Sequence, residues 1–144
     1  MALLAEVANR LVSQSVGGLP GTTQVTDTGW TIYQSLMPAT TGASIAILET
    51  GGFAPLWKAA LNYPTFQVRV LAARLDYGTG RAKLDAIQTA LHAVGNQILT
   101  ESGSTGGQWY VGIGAEGDAL NLGYDENDRP LLAQNYLALR SRTT

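Results

Sequence analysis

Leu3, Leu4, Val7, Leu11 and Val12 recur at the spacing of one helical face, and Glu6, Asn9 and Ser13 fall opposite them. The pattern predicts an amphipathic helix with Glu6 and Arg10 as a favourable i, i+4 pair on its wet side. Gly17-Gly18 and then Pro20-Gly21 stop it. After a Thr- and Gly-rich loop, the aromatic and β-branched content of 29–37 predicts a strand. Pro38 through Gly42 turn the chain, and 44–50 (SIAILET) is apolar on both alternating faces, as an inner strand would be. The clearest alternation lies in 64–74, where Phe66, Val68 and Val70 face one way and Gln67 and Arg69 the other.

At 76–95 the period switches to that of a helix. Leu84, Ile87, Leu91 and Val94 form one stripe, with Gly95 at the expected stop. A short strand is expected near 96–102, then a flexible GSTGG loop. Residues 108–116 alternate Trp109, Val111 and Ile113 against Tyr110, Gly112 and Gly114, and the bare positions suggest that something packs close there. The turn signal YDENDRP (124–130) leads into a last strand, 131–142, with Leu137 and Leu139 on one face and Arg140 and Arg142 on the other. Strand runs with helices segregated between them predict an α+β fold over 1–144 as one domain: a mostly antiparallel sheet of four to six strands, two helices packed on one face, and a long projecting loop.

Composition sharpens this picture in one respect. Charged residues are 14% of the chain, against about 25% in ordinary globular domains, and glycines number 17 of 144. Either the core is large and the loops Ser/Thr-rich, or part of the surface is normally covered by other protein. Nine basic residues are scattered and the formal charge is −2, so no nucleic-acid patch is expected. There is no cysteine, hence no disulfide and no thiolate metal site. No apolar run is long enough for a membrane span. Glu6 and Arg10 interrupt the N-terminal apolar pattern, which therefore reads as a helix of a cytosolic product rather than a signal peptide.

The chemistry-bearing residues form no catalytic constellation. His92, the single histidine, falls on the solvent side of its helix, flanked a turn away by Gln88 and Asn96. YGTGRAK (77–83) lacks both the phosphate-loop pattern and the third glycine of a dinucleotide motif, so Gly78 and Gly80 are expected to ease a strand-to-helix turn. In DENDR (125–129), Arg129 stands where a calcium loop needs an oxygen ligand, so a solvated turn is expected. Glu49, Glu101, Glu116 and Asp118 have nothing in the sequence to pair them. No cofactor, no metal and no enzyme activity are expected.

The connection 51–63 carries Phe53, Leu56, Trp57 and Leu61 where water would meet them. Gly51-Gly52 allows a sharp departure from the sheet, and Pro64 re-enters at the start of the next strand. Hairpin loops are usually about 2–5 residues, and longer ones tend to be functional. Either the loop folds back so that Trp57 caps its own core, or Gly51, Gly52, Phe53, Leu56, Trp57 and Leu61 form an arm that buries itself in a neighbour.

AILETGG, a loop, YPTFQVRV, an amphipathic helix and then GYDENDRPLLAQNYLALRSR together resemble the tail terminator (tail completion, or minor capsid) proteins of long-tailed bacteriophages, over about 44–142. The resemblance implies a structural virion subunit made in the host cytoplasm and placed in the tail-neck region. It implies a homo-oligomeric ring of six that caps the tail tube, ends its polymerisation and joins the tail to the head connector. The partners implied are the tail tube protein and a head-connector or head-completion protein. DNA passes through without being specifically bound. Some of Glu116, Asp118, Asp125, Glu126 and Asp128 are expected to face that channel or an axial joint. The competing readings are another neck or tube component, such as a head completion or tail tube protein, or a small soluble ligand-binding domain.

Overall fold

A computed structural model describes residues 3–14, 16, 30–35, 43–53, 61–100 and 107–141. The elements are α1 (Leu3–Ser13), β1 (Thr31–Gln34), β2 (Ser44–Phe53), β3 (Leu61–Leu71), α2 (Tyr77–His92), β4 (Gly95–Thr100), β5 (Gly107–Ala115), β6 (Leu120–Tyr124) and β7 (Pro130–Ser141). All seven strands form one sheet in the order β1-β2-β3-β7-β5-β4, with β6 also paired to β7. Among the described strands only β1 and β2 run parallel; every other pair is antiparallel. The fold class is the α+β arrangement that the sequence predicts.

β5 and β6 act as one interrupted strand. Tyr110 to Ala115 pair with Arg140 to Tyr136, then Leu120 and Asn121 continue along the same edge of β7 opposite Ala133 and Leu132. The break at 116–119 is held by the Glu116 N–H, which donates to Asn135 O at 2.8 Å, and by Gln134 Nε2, which donates to Gly117 O at 2.8 Å. β6 escaped the sequence reading because its alternating Leu120, Leu122 and Tyr124 point no clean face at the core.

Both helices lie on one side of the sheet, where Ile45, Ile47, Phe66, Val68, Val70, Leu132 and Tyr136 are buried beneath them. The stripe is buried as expected from its period: Leu84, Ile87 and Leu91 of α2, and Val94 just after it. Asp76 caps α2, its Oδ1 accepting from the Thr79 N–H at 3.2 Å. Gly80 has a different reason from the one expected. It lies inside the first turn of α2, and a Cβ there would sit 3.0 Å from Ala72 Cβ, so its bareness lets the helix approach the sheet.

Two face readings, those of α1 and β5, are corrected by the packing, and the faces of β7 are assigned. Glu6 is fully buried instead of facing solvent, and it pairs not with Arg10 but with the Tyr110 hydroxyl at 2.7 Å and Arg140 Nη1 at 3.2 Å. In β7 it is accordingly the Arg140 face that turns toward the helices, and Leu137 and Leu139 lie on the open side. In β5 a register shift between Tyr110 and Gly112 brings both Tyr110 and Ile113 under the helices and leaves Trp109 exposed.

Tyr136 stacks on Phe66 with ring centroids 5.4 Å apart, while its buried hydroxyl has no protein partner. An unsatisfied buried donor costs about 1–3 kcal/mol. Tyr136→Phe is therefore expected to leave stability unchanged or raise it by about 1 kcal/mol, as read from urea midpoints; a loss would show that the hydroxyl is bonded.

Candidate functional site

The β2–β3 hairpin is longer than expected and the connection shorter. Gly51, Gly52 and Phe53 stay in register with Thr65, Pro64 and Tyr63 after a shift between Glu49 and Gly51, so the pair continues as a bulged ribbon rather than leaving the sheet. Both glycines hold positive φ, +98° and +137°. A Cβ on Gly52 would run into the Tyr63 carbonyl oxygen. Pro64 is not the first residue of its strand but the fourth, opposite Gly52. Leu61 opens β3 opposite Ser141 of β7 and is half-buried. Leu56 and Trp57 lie outside the described residues.

Gly52→Ala adds a strained φ, about 1–3 kcal/mol, to a collision with backbone. We expect about 2–4 kcal/mol of destabilisation, seen as a lower denaturation midpoint. Gly51→Ala meets nothing within 4 Å, so it should carry only the φ cost.

The five acidic residues fall into two groups separated by β6. Glu116 and Asp118 are exposed at the β5–β6 break. Asp125, Glu126 and Asp128 form the β6–β7 turn. Asp125 is committed to that turn: Oδ1 accepts from the Asn127 and Arg129 N–H groups at 3.0 and 2.9 Å, and Oδ2 accepts from Arg129 Nε at 2.8 Å. Those bonds, the Arg129 backbone N–H foremost, hold its carboxyl below the usual range. Asp128 lies 3.5 Å from Arg74, an exposed pair, and its carbonyl accepts from the Leu75 N–H at 2.9 Å. Glu126 is exposed.

His92 is exposed as expected, yet its Nε2 accepts from the Ala115 N–H at 2.9 Å, tying the end of α2 to the end of β5. Among the described residues no group of His, Asp and Glu is arranged to hold a metal ion. No described helix is long and apolar enough to cross a membrane.

The open face of the sheet holds features that the sequence reading only half caught. Gly112 and Gly114 of β5 stand opposite Leu139 and Leu137 of β7, and together with Ala115 they line an apolar groove of about 340 Å³ that ends at Glu116. Glu116 also closes a second hollow of about 420 Å³, lined by Thr50, Gly52, Thr65 and Asn135. On the outer edge, Ile98 and Trp109 form an exposed cross-strand pair, 59% and 42% accessible. Exposed apolar area of this kind is expected where protein meets protein.

Residues 14–141 match a family model described as "Bacteriophage tail terminator protein". The fold is similar to that of a chain in a solved structure titled "Virion of native gene transfer agent (GTA) particle", with a TM-score of 0.64 and 19% identity over 98% of this chain and 96% of that one. No curated protein matches. At that identity the structural likeness speaks for the fold, and the family match speaks for descent. The chain belongs to the bacteriophage tail terminator family, a family of structural virion proteins and not of enzymes.

Proposed function

We propose that copies of this chain close into a ring, six being the expected number, that caps the phage tail tube, stops its growth and joins it to the head connector. The family match over 14–141 carries this reading. A ring needs head-to-tail contacts between unlike surfaces, and this chain has unlike surfaces to offer: the hairpin bearing Phe53, Leu56, Trp57 and Leu61, and the bare groove of the open face. The expected partners are the tail tube protein on one side and a head-connector or head-completion protein on the other. DNA passes through without being specifically bound. Of the five acidic residues expected at a channel or an axial joint, Glu116, Asp118, Glu126 and Asp128 are exposed, whereas Asp125 belongs to its turn.

Electron microscopy of particles made without this chain tests the reading. Headless tails of abnormal length support it, and normal virions reject it. A tail tube protein would instead polymerise alone into long tubes, and a head completion protein would co-purify with heads.

A further inference from the structure

We propose that the groove between β5 and β7 is the socket for segment 54–60 of a neighbouring copy, with Trp57 lying over Gly112 and Gly114 between Leu137 and Leu139, and Lys58 meeting Glu116 at the groove's end. The proposal rests on the ring assembly described above and names its receiving surface.

Glycine inside a strand weakens it and contributes no side chain to the sheet. Among the described residues of this subunit nothing requires the two glycines. A Cβ on Gly114 would meet nothing within 4 Å, and one on Gly112 would meet only the Val94 carbonyl oxygen at 3.8 Å. Gly80 is different, since the helix needs its bareness. The open space at 112 and 114 therefore suits a flat side chain that must approach the backbone closely, and an indole is such a group. The groove is apolar along its walls and carries one acidic residue at its rim. Segment 54–60, APLWKAA, is apolar and carries one basic residue, directly after its tryptophan. The two match in apolar character and in charge.

Ring closure, which needs contacts between unlike surfaces, favours a neighbour's segment over the copy's own. Leu61 is level with Ser141, and Glu116 is bonded at Asn135, six residues back along β7 and two strands across from β3. At about 3.4 Å per residue and about 4.8 Å per strand, the gap is about 22 Å. The three residues from Leu61 back to Lys58 span at most about 11 Å. A copy's own backbone covers half the distance and the extended Lys58 and Glu116 side chains cover most of the rest, so a cross-link, and not reach, separates a copy's own segment from a neighbour's.

Because the chain has no cysteine, Lys58→Cys combined with Glu116→Cys provides a direct test. Particles assembled from the double variant should run on a non-reducing gel as ladders of covalently linked copies that collapse on reduction. A disulfide confined to single copies overturns the proposal, as does head–tail joining with no disulfide at all. A charge exchange gives a second reading that does not depend on oxidation. Lys58→Glu and Glu116→Lys should each lower joining at least tenfold, and the two together should restore it; no restoration overturns the proposal. Gly114→Val should leave the melting temperature unchanged or higher while blocking joining, and normal joining by that variant also overturns it. These outcomes leave the ring function standing. If particles lacking the chain join normally, the function and the socket fall together.

Discussion

Replacing Arg140 by alanine is expected to destabilise the subunit by about 3–5 kcal/mol, the usual consequence of removing one partner of a buried ion pair. Glu6 is wholly buried in the pair and Arg140 nearly so, with 13% of its side chain accessible. The pair is not fully satisfied, since Glu6 Oε2 and Arg140 Nε have no protein partner. Its stabilising value thus lies less in the attraction itself than in sparing each charge from being buried alone. A double variant with leucine at both positions should recover most of the loss in urea denaturation. If it is as unstable as the sum of the single changes, the explanation by uncompensated charge is wrong.

The same carboxyl has a pH signature. Burial pushes the Glu6 carboxyl above its ordinary value, while the Tyr110 hydroxyl and Arg140 pull it part of the way back. A raised folded-state value means that the folded protein holds the proton more tightly than the unfolded chain. The contribution to stability is then fully present below the unfolded value of about 4.5 and is lost as pH rises through the raised folded value. Against a Glu6→Gln control, the natural protein should gain relative stability as pH is lowered from 7 toward 4.5. Asp125 acts with the opposite sign. Its contribution is present above its unfolded value of 3.8 and is lost as pH falls through its lowered folded value. The two windows lie on opposite sides of about pH 4, so one titration separates them.

Trp57→Ala is expected to abolish ring formation and head–tail joining while leaving the isolated subunit folded. Truncating a well-seated interface tryptophan costs about 2–4 kcal/mol. In the proposed ring of six that loss recurs at every contact, so the penalty multiplies where a surface substitution in a monomer stays within about 0.5 kcal/mol. The subunit's denaturation midpoint should hold while joining disappears. Normal joining by the variant would remove the arm from the assembly.

Helix existence and most strand positions were legible in the sequence because one-sided burial leaves a period. The 84–94 stripe and the Phe66, Val68, Val70 alternation each lie over a single continuous core. Where the reading failed, a local rule was overridden from far away. Glu6 looked like a wet-face residue because its partners, Tyr110 and Arg140, lie 104 and 134 residues along the chain. The faces of β5 were misassigned because a single extra residue in a strand exchanges inside for outside. The Gly51-Gly52 pair signalled a special backbone correctly, but whether positive φ serves a departure or a bulge depends on what strand lies alongside.

By itself, then, the sequence determined the α+β class, the family resemblance carried by its motifs, and the presence of an apolar segment, 54–60, between two strands. Tertiary structure alone decided which way β7 faces, how β5 and β6 share it, and that Gly112 and Gly114 lie bare beside Leu137 and Leu139. The physical reason is the range of the interactions. Hydrophobic periodicity is written within a few residues of each position, whereas register, bulges and buried ion pairs are set by groups that meet only once the sheet has formed.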